Sequence, residues 1–259
     1  MSARPFSEAD LPSHVAKALW RADALGQHDA PVWSSGHTLL DAQLPGGGWP
    51  GQGLTEVLQP PAMHAEWRLL APVLRLGASK GLTTLLINPP HEPHAVGLSQ
   101  MGLSSHQWLR VRAHSAGEAA WVIEQVLKAG ASTSVLAWLP HIHAAGLRRL
   151  QTCAARHAGP VFLFRPDSVE QHASAAPLRL SLQVDALTQA LQVRLIKRRG
   201  PIQAEALTLS AWPAGLHALI ERPLLHAPGT LSAPSSKTGH VALGRLDSRL
   251  AAGQPIVIA

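Results

Sequence analysis

Leu54-Thr55-Glu56-Val57-Leu58-Gln59-Pro60-Pro61-Ala62-Met63-His64-Ala65-Glu66-Trp67 reads as a short apolar run, a break at two prolines and the start of a helical pattern. A strand feeding a helix through a short loop is the unit from which parallel sheets are built. In such units the helix N-terminus points free N–H groups at the loop, which makes it a natural phosphate site. A Walker A loop adds glycines that let successive N–H groups cradle the phosphates, then a Lys and a Ser/Thr for the metal. Here there is no glycine, Pro60 and Pro61 have no N–H to donate, and Ala65 and Glu66 stand at the Lys and Thr positions. A carboxylate suits a helix N-terminus, but it repels the anion that terminus would otherwise hold. The segment has the layout of a nucleotide site without its chemistry.

Outward from it, apolar runs alternate with helical patterns. Strands are predicted over 54–58, 83–87, 109–111, 135–139 and 161–164, with helices over 65–78 (bent or restarted at Pro72), 115–129 and 144–157 between them. Gly81, Gly130 and Gly159 follow these helices, where C-caps favour glycine. The period then shortens to two over 178–184 and 191–196, followed by 207–209, which predicts an antiparallel edge. The expected fold is therefore α/β, a mainly parallel central sheet with crossover helices and an antiparallel C-terminal edge. Ahead of it, Ser13 can cap a short amphipathic helix bearing Val15, Leu19 and Ala22 on one face and ending at Gly26. After Pro223 the chain is rich in Gly, Pro, Ser, Ala and Thr, the composition of a disordered tail. The division expected is an N-terminal helix and linker over 1–32, a core domain over 33–224 and a flexible tail over 225–259.

Composition narrows the function classes. The 259 residues, 46% hydrophobic and 15% charged, suffice for one sizeable core. No apolar run reaches membrane-spanning length and Glu8 and Asp10 interrupt the N-terminus, so a cytoplasmic protein without membrane contact is expected. Cys153 is the lone cysteine, which excludes an internal disulfide or a thiolate cage. The net charge of +6 favours an acidic partner. Eight Trp against three Phe and no Tyr are scattered, unlike a base-stacking platform interleaved with cations. His141-Ile142-His143 places two imidazoles at metal spacing if it lies on a strand, but it lacks a third ligand, so no metal is expected. His91-Glu92-Pro93-His94 is too short for HExxH and carries a proline. No Gly-x-Ser-x-Gly elbow supports a hydrolase.

The order of elements resembles the RecA core. Ser35-Gly36 with Leu40-Asp41 is similar to its lead-in, and Pro45 to Trp49 to its Gly-rich turn. Within that superfamily, Ala18-Leu19-Trp20-Arg21-Ala22-Asp23-Ala24-Leu25-Gly26, Leu44-Pro45-Gly46-Gly47-Gly48-Trp49-Pro50 and Ile196-Lys197-Arg198-Arg199-Gly200-Pro201 resemble the ImuA family, RecA-like accessory proteins of bacterial inducible mutagenesis. Carried onto this sequence, the ATPase residues are lost one by one. Besides Ala65 and Glu66, Asn88 and Pro90 stand where the resemblance implies acidic residues including the catalytic Glu, Leu139 replaces the Walker B Asp, and Pro166 replaces the γ-phosphate sensor. Lysine, magnesium ligand, water-activating base and sensor are all gone, so neither catalysis nor a cofactor is expected.

The resemblance implies an adaptor of damage-induced (SOS) translesion synthesis, joining RecA, ImuB and an error-prone C-family DNA polymerase. Lys197, Arg198 and Arg199 match a basic segment that reaches a neighbour's nucleotide in RecA filaments, which makes them candidate partner-binding residues. The stretch matching RecA's mobile DNA-binding loops, 167–177, has no glycine and only His172 as a potential cation, which leaves Arg148, Arg149 and Arg156 on the preceding helix as candidate DNA contacts. Two alternatives stand beside this reading: a SulA-like cell-division inhibitor acting on FtsZ, and an ATPase with an unconventional site.

Overall fold

The computed structural model describes residues 31–131, 133–201 and 205–210. The chain divides into two units, Met1–Leu219 and Ile220–Ala259, and all described residues belong to the first. The N-terminal helix predicted from Ser13 and the tail after Pro223 lie outside the described residues.

In chain order the elements are β1 (Val32–Trp33), α1 (Thr38–Asp41), β2 (Trp49–Pro50), β3 (Leu54–Gln59), α2 (Glu66–Ser79), β4 (Thr83–Ile87), α3 (Ala95–Gln100), β5 (Trp108–Val111), α4 (Ala116–Lys128), β6 (Thr133–Trp138), α5 (Ala144–Ala154), β7 (Val161–Pro166), β8 (Leu178–Val184), β9 (Leu191–Lys197) and β10 (Leu207–Leu209). Short 3-10 turns cover Ser105–Gln107 and Asp167–Val169. One eight-stranded sheet runs β10-β9-β8-β3-β7-β6-β4-β5, and β1 pairs separately with β2. Strands from β8 to β5 across that order are parallel, while β9 and β10 add an antiparallel edge. The expected α/β architecture is present.

Two apolar layers sandwich the sheet. On one face Val57, Phe162, Phe164 and Leu180 pack with Leu69, Leu70, Val73 and Leu74 of α2, and Trp49 meets Phe162 edge to face at 5.2 Å. On the other, Leu54, Ile87 and Leu163 pack with Ile123 of α4 and Leu147 and Leu150 of α5. Strand β3 lies between neighbours on both sides and is buried along its whole length. Its Leu54 and Val57 join the two core layers, and its polar Thr55, Glu56 and Gln59 are buried with them, so they need partners inside the fold. In β9, by contrast, Leu191, Val193 and Leu195 are buried and the residues between them are less so, the alternation of a half-covered edge.

Three details differ from the sequence reading. Helix α2 continues through Pro72 rather than restarting there. The Pro72 ring is instead packed against Gly36, where a Cβ would lie 2.3 Å from Pro72 Cβ. Gly81 ends α2 as expected: its N–H donates to the Ala78 carbonyl and that of Leu82 to Gly77. Gly159 has another role. Helix α5 stops at Ala154, and a Cβ at Gly159 would lie 2.0 Å from the Thr133 carbonyl oxygen, so this glycine lets two backbones touch. Finally, His141 and His143 lie in the loop between β6 and α5, not on a strand face.

Candidate functional site at the crest of the parallel strands

Parallel strands present their C-terminal ends on one edge, where α/β proteins bind ligands. In this chain the ends of β3, β4, β6 and β7 frame a groove of about 660 Å³. Its walls include Pro60, Pro61, Pro90, Pro140 and Pro166, and Trp138 stacks on Phe164 at 4.8 Å and 21°. Five prolines remove five potential N–H donors from a place where phosphates need them. The surface that remains is apolar and aromatic.

The positions expected to have lost their ATPase chemistry each have a structural task. Ala65 precedes α2 and is buried in the core. Glu66 opens that helix at 2% exposure and accepts from Gln59 Nε2 at 3.3 Å. Burial raises its carboxyl pKa, partly offset by hydrogen bonds and by the nearby His64 and His91. Those two imidazoles meet edge to face, their Nε2 atoms 2.9 Å apart, so one must donate and the other accept. Asn88 adopts a left-handed conformation at φ 52° and accepts from the Ala113 N–H at 2.7 Å, which ties the end of β4 beyond β5. Leu139 is buried in the second core layer, its N–H on the Phe164 carbonyl at 3.1 Å. Pro90 and Pro166 line the groove.

The lead-in motif is also structural. Asp41 accepts from the Ser34 hydroxyl at 2.7 Å and from the Ser35 N–H at 2.8 Å, while Leu40 is fully buried. This clasp presses Gly36, at φ 77°, onto α2.

Beneath the groove lies a buried ion triad that the sequence reading missed. Glu56 of β3, fully buried, pairs with Arg165 of β7 at 2.6 Å and with Arg179 of β8. Arg179 also donates to the carbonyls of Val169 and Glu170. Arg194 of β9 grips the Glu170 carboxylate with two bonds of 2.8 Å, and Lys197 donates to the Ser174 carbonyl at 2.8 Å. The 167–177 stretch is thus tied to the sheet by three cations. The signal was legible, since a charged residue inside each of three apolar runs demands partners.

The candidate partner-binding trio is only partly available. Lys197 is committed to Ser174, and Arg198 donates to the Gln43 and Pro201 carbonyls. Arg199 is exposed and makes no side-chain bond among the described residues, and it lines a second, smaller groove of about 160 Å³ with Val32, Pro45, Pro50 and Pro177. On α5, Arg149 bridges to Glu124 at 2.5 Å, and Lys128 and Arg149 together hold that carboxyl below its ordinary pKa. Arg148, and Arg156 just beyond the helix, are exposed. Among the described residues no cluster of three His, Cys, Asp or Glu could hold a metal, and no helix is long and apolar enough to cross a membrane.

No protein-family model matches this chain. The chain is similar to the cell division inhibitor SulA of Edwardsiella piscicida, 34% identical over 109 residues, which is 42% of this chain and 65% of that protein. It therefore matches a little under two thirds of that relative's length.

Proposed function

We propose that this chain is a non-catalytic RecA-like protein of the SOS damage response, an adaptor that works by protein contact. The observation that carries the reading is the crest. Where a nucleotide would lie there are prolines, a buried carboxylate and an aromatic stack instead of glycines, a lysine and a metal ligand. Within that reading we assign it to translesion synthesis, bridging RecA, ImuB and an error-prone C-family polymerase, on the ImuA-like phrases 18–26, 44–50 and 196–201. DNA contact through Arg148 and Arg156 is a subsidiary part of the reading, and Arg149 is less available because Glu124 holds it.

The likeness to SulA favours a second reading, a cell-division inhibitor acting on FtsZ. Co-purification separates the two. Tagged full-length protein should retain ImuB and RecA and pass FtsZ, whereas retention of FtsZ without ImuB would select the second reading. Because Lys197 and Arg198 are held within the chain, Arg199→Ala should reproduce most of the loss of RecA binding caused by changing all three to Ala. Undiminished RecA binding by the triple variant would remove the basic segment from the interface.

A further inference from the structure

Three side-chain atoms of residues lining the crest groove are buried without a hydrogen-bond partner: Trp138 Nε1, Arg165 Nε and Gln59 Oε1. Their residues are 8%, 8% and 6% exposed. A buried polar atom left unpaired is costly, and of the nine such atoms among the described residues these three belong to residues around one groove. Two are N–H donors and one is a carbonyl acceptor.

A phosphate or carboxylate is a poor complement. It would face Gln59 Oε1 and the nearby Glu66, and the Arg165 charge is already balanced by Glu56. The walls are proline, with the Trp138–Phe164 stack among them. What fits is an uncharged group carrying both C=O and N–H, flanked by a ring or another proline. A peptide backbone has that pattern, and about 660 Å³ is pocket-sized for a segment of a few residues.

We propose that the crest groove is a docking site for a short, uncharged, proline- or aromatic-containing segment of a protein partner. Its apolar side chain lies against Trp138 and the prolines. Its amides give acceptors to Trp138 and Arg165 and a donor to Gln59, after a small opening of the groove that exposes those atoms. The proposal rests on the reading of the crest as a protein-contact surface.

The probe is the capped peptide acetyl-Pro-Phe-Pro-amide, titrated into full-length protein while the tryptophan indole N–H signals are followed by NMR. Trp138→Phe assigns the relevant signal and keeps an aromatic ring on Phe164. The Trp138 indole signal should move downfield and saturate. Ser168→Trp, at an exposed lining position, should weaken binding at least tenfold without lowering the melting temperature. His141→Glu on the same rim is a second blocking variant should the first fail to fold. An unmoved indole signal, or equal affinity in a folded blocking variant, overturns the proposal. So does displacement of the peptide by adenosine, which would make the groove a nucleoside pocket. Saturable Mg-ATP binding would defeat the parent reading, whereas an unmoved signal without ATP binding defeats the docking site alone.

Discussion

Glu66 joins two requirements that a nucleotide-binding helix start would keep apart, because its carboxyl opens α2 and is shielded from water. Burial holds its folded pKa above the unfolded value, so the folded state binds the proton more tightly. The stability this contributes is complete below the unfolded carboxylate pKa and is lost as pH rises through the raised folded value. Glu66→Gln keeps the bond to Gln59 and removes the titration. Urea midpoints should therefore show the variant gaining on the parent protein as pH rises through that window; parallel midpoints across it would contradict the assignment. Glu56 is a different case, since both its oxygens are occupied by buried guanidinium groups. Glu56→Ala strands two buried cations and should cost about 3–5 kcal/mol in denaturant unfolding. Replacing Arg165 and Arg179 by Met in the same chain should recover most of it.

At the scale of elements, most of the architecture was legible in the sequence. The predicted runs 83–87, 178–184 and 207–209 coincide with β4, β8 and β10. Apolar periodicity reports burial, and burial defines these strands. The misplacements have physical causes. Pro72 was expected to bend or restart α2, but the helix does not restart there: it tolerates a lost N–H when its packing holds, and Leu69, Leu70, Val73 and Leu74 anchor the turns around it. Gly159 was expected to cap a helix, yet its requirement is the nearby β6 backbone, which no local pattern reveals. Gly159→Ala would force the Thr133 carbonyl away and should lower unfolding free energy by more than about 2 kcal/mol. Gly130→Ala, with open space around its Cβ, would feel only its φ of 65° and should cost less. The 167–177 stretch shows the limit of composition: its lack of glycine and of cations argued against RecA-like DNA contact, but the grip of Arg179, Arg194 and Lys197 on it is a tertiary fact.

For the whole molecule, the parallel sheet and its proline-rich crest belong to one account. A parallel sheet buried on both faces supplies a rigid frame independent of any ligand, so the crest is free to change. That Ala65, Glu66 and Leu139 stand where the RecA resemblance implies a lysine and metal ligands could be read from the sequence alone. The groove could not, because Pro61, Pro90, Trp138 and Pro166 are far apart in sequence and meet only when four strand ends align. The His64–His91 contact was hidden for the same reason. The central claim is that this crest does not serve a nucleotide. Calorimetric titration of the full-length protein with Mg-ATP tests it most directly. The account predicts no saturable heat at ligand concentrations of about 1 mM, within the range of ordinary substrate-level affinities. A saturating isotherm that Glu66→Ala abolishes would contradict it.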